Sequence, residues 1–532
     1  MHNTNHISIW KPLSNRPFRL LWTANIVSLI GTWTHEVGAS WLMTSLTLSP
    51  FMVAMVQTAT TLPFFLFSLP AGAMADIFDR RRLLIFTQLL MLTAALLLGI
   101  TTIFFKITPF ILLTFTFFLS LGASINAPAW QSIIPELVSR KELVSAITLG
   151  SVSFNIARVA GPALGGLIVA ALGPGVTFLF NAASLSGVAT VLFRWRREPI
   201  LSTLPEERLL GAIRSGIRYI RNAPHVWAVL IHIGIFSFFT SSLWAFLPIV
   251  ARINLMLSPT GYGILLGFFG IGGLIGAIIL PKMRNRCSIN LLTAVSKLFL
   301  AIILFVLAVS KNFILISTAM VIGGISWLVT LSTFNTSIQS IIPSWVRGRV
   351  ISIFILTFFG GMAGGSALWG AIASKTSISE TMIGTSIMTI AGTFFSWRYK
   401  LSSGDGLDLT PSQNWPVLAT EKPPYLEEGP LLVVVEYHID QLHSDAFKDA
   451  MGKMKTIRMR DGAIKWNLFH DIETPGHYIE SFIVESWLEH LRQHERFTIS
   501  DREIQGHVRS FQIENRPIVV QHFIAEPVRR KK

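Results

Sequence analysis

Long apolar stretches separated by short polar segments run from the start of the chain to about residue 400. A membrane-spanning α-helix needs about 20 predominantly apolar residues, and twelve stretches reach that length. They are residues 18–43, 51–75, 83–105, 108–129, 142–170, 174–193, 226–250, 260–284, 288–309, 312–340, 347–374 and 378–398. The pattern predicts an all-α membrane protein with twelve transmembrane helices over this part of the chain.

The pattern changes after a segment rich in Ser, Gly, Pro and Asp between Gly404 and Pro430, which is typical of a linker. Period-2 alternation predicts four strands, in LLVVVEYHI, AIKWNLFHDI, YIESFIVES and PIVVQHFIA. Helical spacing predicts two helices, in DAFKDAMGKMKTIRMR and WLEHLRQHER. The order βαββαβ predicts a C-terminal α+β ferredoxin-like soluble domain.

A repeat divides the membrane part into two halves. Gln131-Ser132-Ile133-Ile134-Pro135 recurs 208 residues later at positions 339–343, and residues 161–166 have a weaker echo at 365–370. Two parallel six-helix halves with a substrate path between them are a known transporter plan. The predicted organisation is a leader (1–17), an N-terminal half (18–193), a central loop (194–225), a C-terminal half (226–400), a linker (401–428), the α+β domain (429–527) and a basic tail (528–532).

Charge is distributed unevenly, and this sets the expected orientation. Residues 1–404 hold 28 of the 44 Lys and Arg but only nine of the 29 Asp and Glu. With the N-terminus in the cytoplasm, the cytoplasmic segments carry 22 of these cations and the opposite loops carry four. The asymmetry follows the positive-inside rule and predicts cytoplasmic N- and C-termini. The basicity therefore reflects topology, and no nucleic-acid partner is expected. The polar leader does not resemble a signal peptide, and the single cysteine, Cys287, excludes an intrachain disulfide.

Few ionisable residues fall inside the predicted spans, where such groups usually face a cavity or a partner. Glu36 is the acid expected well inside a span, with His35 beside it. Three roles fit Glu36: a proton-carrying or cation-binding group, a partner that neutralises Arg158, or an interfacial residue if the first span ends early. His232 is a candidate cavity or packing residue, and Lys297 is expected to reach the cytoplasmic face. Trp33 is the aromatic residue favoured for the cavity.

Two motifs resemble signatures of the major facilitator superfamily over residues 14–400. Gly72-x-x-x-Asp76-x-x-Asp79-Arg80-Arg81-Arg82 is similar to that superfamily's loop 2–3 signature. Gly161-Pro162-x-x-Gly165-Gly166, with Arg158 on the same helical stripe, is similar to its fifth-helix antiporter signature. The resemblance implies that Asp76 and the arginines hold the cytoplasmic side shut in one state. The alternatives are that the arginines only fix topology and that the glycines only pack helices.

The run PFRLLW and the segment NIARVAGPALGG resemble the branch that contains enterobactin exporters and related efflux proteins. This implies an inner-membrane exporter of a small amphipathic molecule such as a siderophore, with a multidrug spectrum as the alternative. Protons are the expected coupling ion and lipid the surrounding medium. The fourth predicted span lacks the arginine usual in proton-coupled drug antiporters, so the coupling depends on Glu36 or Arg158.

The segment ESWLEHLRQHERFT resembles the dimeric α+β barrels related to antibiotic-biosynthesis monooxygenases. That resemblance makes a homodimer through this domain a candidate assembly and a catalytic or metabolite-sensing tail an alternative. His490 and His494 have the four-residue spacing of helical metal ligands, but no third ligand is evident in the sequence. No cofactor and no metal are therefore expected, and the chain is expected to be a transporter rather than an enzyme.

Overall fold

The computed structural model describes residues 8–139, 141–195, 209–412, 425–514 and 516–526. Parts of the predicted leader, central loop and linker, and all of the basic tail, lie outside the described residues. The backbone of Asp76 is described but its side chain is not. Packing divides the chain into two units. The membrane unit comprises the described residues up to 195 together with 230–335 and 352–400, and the sheet unit comprises 209–229, 336–351 and 401–526.

Thirteen α-helices precede residue 400 in the described chain, and they occupy all twelve predicted segments. They are α1 (Arg16–Leu46), α2 (Pro50–Ile77), α3 (Arg80–Phe104), α4 (Pro109–Leu137), α5 (Leu143–Leu172), α6 (Pro174–Arg194), α7 (Leu209–Arg221), α8 (Pro224–Ile249), α9 (Pro259–Arg284), α10 (Ile289–Val309), α11 (Phe313–Ser340), α12 (Arg347–Ala373) and α13 (Ile378–Ser396). The additional helix, α7, lies in the predicted central loop.

Ten of these helices are long and apolar enough to cross a membrane, namely α2–α6 and α8–α12, judged by length and composition over the described residues. The predicted first and last spans are helical, as α1 and α13, but they are not among the ten. Polar content explains the difference: α1 carries Arg16, Arg19, His35 and Glu36, and α13 is rich in Ser and Thr.

Local sequence signals explain where the membrane helices begin. Helices α2, α4, α6, α8 and α9 each start with proline, whose missing N–H is not needed in the first turn. Side-chain caps begin others: Asp79 Oδ1 accepts the Arg82 N–H at the start of α3, and Ser288 caps α10 in the same way. The helix bundle of the membrane unit is built by packing of α1 on α5 and α6, α2 on α4, α3 on α6, α5 on α9 and α10 on α13.

The sheet unit contains one four-stranded antiparallel sheet with strand order β2-β3-β1-β4. Its strands are β1 (Leu431–His438), β2 (Lys465–His470), β3 (His477–Val484) and β4 (Val519–Ile524). Helices α14 (Ser444–Asp461), α15 (Trp487–Arg496) and α16 (Ile499–Arg509) complete the fold. The alternating burial of β1 and β3 places the apolar core on one face of the sheet, where residues of these helices join it.

The predicted element order was wrong at one point, because two helices rather than one separate β3 from β4. A capping box starts α16: Thr498 Oγ1 accepts the Asp501 N–H, and Asp501 Oδ2 accepts the Thr498 N–H. The break after Arg496 separates α16 from α15. The tetrapeptide Thr498-Ile499-Ser500-Asp501 carried this signal in the sequence.

Candidate functional site

A cavity of about 200 Å³ lies among the helices of the membrane unit. Helices α1, α2 and α4 form most of its wall, α3 and α6 add to it, and α8 and α9 contribute Trp244, Tyr262 and Leu266. Helices α1 to α6 precede the central loop and α8 and α9 follow it, so both halves of the chain reach the cavity. This is the arrangement expected of a substrate path between two halves.

Three of the predicted site residues, Trp33, His35 and Glu36, line this cavity from α1. Glu36 is half-buried, and within the described chain its carboxylate makes no hydrogen bond or ion pair. Both ring nitrogens of His35 are buried and have no hydrogen-bond partner among the described residues, and its ring packs against Phe178 with the centroids 4.6 Å apart. Trp244 Nε1, which sequence reasoning did not assign to the cavity, is likewise buried without a partner. Such groups are available to a polar substrate or to water.

Arg158 does not form the predicted ion pair with Glu36. It lies on α5 with its guanidinium carbon 5.2 Å from the centroid of the Phe269 ring on α9, in cation–π geometry. A Cβ atom placed on Gly273 would be 2.9 Å from Arg158 Nη1, so the guanidinium lies directly against the backbone of α9 at this glycine. The buried cation is therefore held between α5 and α9, and no cation of the described part of the chain neutralises Glu36.

The glycines of the fifth-helix motif lie at two close helix crossings. Cβ atoms on Gly161 and Gly165 would be 2.4 Å from Trp33 Cβ and 3.0 Å from Val37 Cβ, both on α1. A Cβ on Gly166 would be 2.6 Å from the Pro259 carbonyl oxygen on α9. Pro162 is buried between these contacts. The motif thus packs α5 against α1 in its own half and against α9 in the other half.

His232 lies apart from the cavity, contrary to its role as a cavity candidate. Its Nε2 is 2.8 Å from the Tyr399 carbonyl oxygen and its Nδ1 is 3.1 Å from Lys297 Nζ. Lys297 Nζ also donates to Ser396 Oγ at 2.8 Å. The side chain of Lys297 is buried rather than directed to a membrane face. These residues form a polar cluster among α8, α10 and the end of α13.

The loop 2–3 motif fastens helix ends within the N-terminal half. Arg80 Nη1 donates to Glu136 Oε1 at 2.8 Å and to the Ser132 carbonyl at 3.2 Å, both on α4. Arg81 donates to the carbonyls of Leu192 and Phe193 at the end of α6, each at 2.8 Å. Arginines that satisfy the last carbonyls of a helix also interact favourably with its dipole. A Cβ on Gly72 would meet no atom within 4 Å, so packing in this arrangement does not require glycine there.

A second cavity, of about 510 Å³, lies in the sheet unit between the sheet and its helices. Apolar side chains of the sheet, including Val433, Val435 and Phe482, form one wall. Arg502, Gln505, Gly506 and Arg509 line it from α16 at spacings of three and four residues, which places them on one helix face. In the described chain, neither Arg502 nor Arg509 forms a side-chain ion pair with a carboxylate, and a Cβ on Gly506 would meet nothing within 4 Å. This region joins an apolar wall to a basic edge.

Three histidines meet in this second cavity, although the sequence indicated only two of them. His490 Nε2 is 3.1 Å from His494 Nε2, and the ring of His522 on β4 lies 4.9 Å from that of His490. Burial, together with a smaller contribution from the neighbouring His522, lowers the pKa of His490 to about 4. Burial also lowers the pKa of His494 and of His522. The three rings are therefore neutral at physiological pH.

An ionic cluster joins three separate segments of the sheet unit. Arg496 donates to both carboxylate oxygens of Glu489, at 2.7 and 3.2 Å, and Arg218 of α7 donates to the same carboxylate. Burial alone would raise the pKa of Glu489, but hydrogen bonds from Arg496 hold it below its usual range. Arg496 lies 4.5 Å from the ring centroid of Trp345, which packs edge-on against Tyr219. The central-loop helix, the segment before α12 and α15 thus meet at one place.

Comparison with known families identifies the chain as a whole. A family model described as "Transmembrane secretion effector" matches residues 7–531, a span that includes the four-stranded sheet. The staphyloferrin A transporter of Staphylococcus aureus is 24% identical over 391 residues, which cover 72% of this chain and 96% of that protein. The multidrug efflux pump Tap of Mycolicibacterium fortuitum is 25% identical over 387 residues (70% and 92%). The enterobactin exporter EntS of Shigella boydii is 25% identical over 371 residues (67% and 85%).

Solved structures with the same fold are also transporters. A bacterial homologue of the human lysosomal transporter Spinster superimposes with a TM-score of 0.56 at 17% identity and covers 73% of this chain and 98% of its own. A bacterial homologue of the iron transporter ferroportin gives a TM-score of 0.57 at 15% identity (72% and 97%). At this level of identity, the similarity establishes the shared fold.

Proposed function

Because this chain belongs to the transmembrane secretion effector family of the major facilitator superfamily, we propose that it exports a small amphipathic molecule, such as a siderophore, against proton entry. The protein is a multi-pass transporter of the bacterial inner membrane. In this proposal α1 and α13 also cross the membrane, which gives twelve spans in two parallel halves. Both termini, the central loop and the sheet unit then lie on the cytoplasmic side, as the distribution of Lys and Arg favours.

The observation that carries the coupling proposal is the environment of Glu36. Its carboxyl group lines a cavity that both halves of the chain reach, and among the described residues no cation neutralises it. Carboxyl groups inside membrane-spanning segments that face a cavity are the groups that carry protons in transporters. Protonation from one side and release to the other would link proton entry to the change between two arrangements. Arg158 packs against Phe269 and leaves Glu36 available for this role.

The size of the cavity supports alternating access. Pockets for drug-sized ligands usually measure roughly 300–1,000 Å³, and this cavity measures about 200 Å³. Cargo of that size therefore requires the helices around the cavity to separate. The close crossing of α5 and α9 at Gly166 joins the two halves and is the contact that such a movement must change. In the same proposal, Asp76 and the arginines of the loop 2–3 motif stabilise the state that is closed to the cytoplasm.

The named relatives suggest two kinds of cargo. One relative is a staphyloferrin A transporter, another is an enterobactin exporter, and the third is a multidrug efflux pump. We favour a siderophore because two of these three relatives handle one. The buried donors of His35 and Trp244, which have no partner within the described ranges, favour cargo that carries oxygen acceptors over a purely cationic drug.

The test uses inside-out membrane vesicles that contain the protein and have an acidic lumen. We would supply staphyloferrin A, enterobactin or a cationic dye, and record both uptake and the pH of the lumen. Wild-type protein should take up a siderophore while protons leave the lumen. Glu36→Gln should abolish proton movement driven by that cargo, whereas Glu380→Gln, the same change at an exposed carboxyl group, should not.

Each other result has a definite meaning. Uptake without proton movement would retain export and contradict the coupling role of Glu36. Uptake of the dye without either siderophore would favour the multidrug alternative. Absence of uptake for all three compounds, with protein present in the membrane, would contradict the proposed cargo class.

A second function is favoured by the cavity of the sheet unit. We propose that the sheet unit binds a small anionic metabolite with an apolar body, because apolar strands face Arg502 and Arg509, which pair with no carboxylate of the described chain, across a space of about 510 Å³. That volume lies in the usual range for ligand pockets. The proposed role of this domain is to sense the metabolite by binding it, without a chemical reaction.

Two matched glycine variants test the second function in the full-length protein. Gly506 lines the cavity and Gly452 does not, yet a Cβ at either position would enter open space. Binding of staphyloferrin A or enterobactin is measured by calorimetry in a Glu36→Gln background, in which transport is disabled. Adding Gly506→Leu should abolish the binding that remains in this background, and adding Gly452→Leu should not. Equal binding by both variants would contradict a ligand site in this cavity.

A further inference from the structure

Polar side chains gather on the face of the sheet that is opposite to the helices, which we call the outer face. Glu436 and His438 are two residues apart on β1 and therefore point to the same side. His477 of β3 is paired directly with His438. Directly paired and diagonal positions of neighbouring strands bring side chains into contact. The strand register thus collects two imidazoles and one carboxylate from positions about 40 residues apart.

The ligand atoms of these three residues converge. One nitrogen or oxygen atom from each of them lies within 4.8 Å of the other two. His477 Nε2 is 3.9 Å from Glu436 Oε2, and the rings of His438 and His477 are stacked with centroids 4.5 Å apart. Two donors on one ion, with bonds of about 2.1 Å, are separated by roughly 3.0–3.5 Å. Small side-chain rotations would bring the three atoms to that spacing.

The hydrogen bond that His477 makes to Asp471 selects a tautomer whose lone pair is on Nε2, the nitrogen near Glu436. Its Nδ1 is 2.9 Å from Asp471 Oδ2 and donates its hydrogen to that oxygen. Asp471 is itself fixed by the turn after β2, since its Oδ1 accepts the Glu473 N–H at 2.9 Å. The opposite nitrogen, Nε2, is buried and has no hydrogen-bond partner within the described chain. A carboxylate that orients the far nitrogen of a histidine is a common feature of metal sites.

We propose that Glu436, His438 and His477 bind a divalent first-row transition-metal ion, with Asp471 holding His477 in the orientation and tautomer required for binding. Two imidazoles and one carboxylate suit such ions and leave coordination positions open. The site is distinct from the His490–His494 pair, because it lies on the other face of the sheet. It uses no residue of the transport cavity and does not depend on the proposed transport function.

One neighbour opposes binding and gives the proposal a sharp test. Arg516 Nη1 lies 3.4 Å from His438 Nδ1, where the guanidinium competes with a cation for that lone pair. The contact is long and exposed, so the arginine can turn away. Removing its charge should strengthen metal binding. A variant that gains affinity cannot be explained by misfolding.

The experiment uses tag-free full-length protein in detergent, stripped with a chelator and dialysed against Co²⁺ or Zn²⁺. Wild-type protein should bind one ion with a visible Co²⁺ spectrum that shows nitrogen ligation. His477→Ala should lose this ion, and Asp471→Asn should bind it about 10–100-fold more weakly. Arg516→Gln should bind it more tightly than wild type. His494→Ala, which alters only the other histidine pair, should bind like wild type.

Three results would overturn the proposal. The first is equal metal content in wild type and His477→Ala. The second is loss of the ion in His494→Ala with retention in His477→Ala, which would place the metal in the second cavity. The third is weaker binding by Arg516→Gln, because removing a competing cation should not lower affinity.

Discussion

The crossing of α5 and α9 permits a controlled test of how the two halves pack. Gly166 and Gly150 both lie in α5, and replacing either by alanine should improve the intrinsic helix propensity by about 1 kcal/mol. They differ in their surroundings. A Cβ on Gly166 would be 2.6 Å from the Pro259 carbonyl oxygen and 3.1 Å from Gly263 Cα, whereas a Cβ on Gly150 would meet nothing within 4 Å. Backbone atoms cannot rotate away, so Gly166→Ala must move α5 and α9 apart.

Overpacking of this kind costs about 1–3 kcal/mol. If the close crossing exists in only one of two transport arrangements, that cost shifts their ratio by about 5–150-fold toward the other. The halves need not unfold, because the strain disappears when the helices separate. Gly166→Ala should therefore change the transport rate and the distribution between arrangements, while Gly150→Ala should leave both unchanged.

Spin labels at two exposed positions beside the crossing, Leu172 and Met256, would measure the separation in a Cys287→Ser background. Gly166→Ala should broaden the distance distribution or shift it to longer values. The same distribution in both alanine variants, with equal transport rates, would refute the reasoning. It would mean that the contact at Gly166 does not distinguish the arrangements.

Three further predictions concern stability in detergent. Arg80→Ala should lower the unfolding free energy by about 1–3 kcal/mol, because it removes hydrogen bonds to the end of α4, and exposed Arg82→Ala should have little effect in the same thermal assay. His232→Leu should destabilise more than Lys297→Met, because it leaves the buried ammonium group with fewer acceptors; equal melting temperatures would contradict this. The pKa of His490 is lowered to about 4, so as pH falls below about 6.5 the unfolded chain binds a proton at this residue before the folded chain does. His490 alone should therefore cost the sheet unit about 1.4 kcal/mol per pH unit down to about pH 4, and His490→Phe should reduce the slope of unfolding free energy against pH by that amount.

Local signals in the sequence were sufficient to locate the membrane helices. Length, apolarity and an initial proline act within one segment, so α2 or α9 can be identified without knowledge of its neighbours. The cavity position of Glu36 was a reasonable prediction because a buried acid requires a polar environment. The sequence did not show whether Glu36 and Arg158 form an ion pair, because the two residues are 122 positions apart. In the structure Arg158 instead lies against Phe269 of a third helix.

Sites that depend on strand pairing were missed for the same reason. His490 and His494 are four residues apart and visible in one helix, whereas His522 joins them only through the position of β4 beside β1. Glu436, His438 and His477 come together only through the register of β1 with β3. No metal was expected because the sequence shows no third ligand near His490 and His494, and residues joined only by strand register cannot be recognised from their spacing. The signal for α16 was local, and the capping box at Thr498 would have revealed it.

The sheet unit includes two segments that connect transport helices. Residues 209–221 lead directly into α8, and Trp345 immediately precedes α12. Both contact the cluster of Glu489 and Arg496 within this unit. Separating them would break the hydrogen bond from Arg218 to Glu489, which contributes about 1.5–3 kcal/mol, and the cation–π contact between Arg496 and Trp345. Within this unit, the cluster of Glu489 and Arg496 therefore holds together the segment that leads into α8 and the segment that precedes α12.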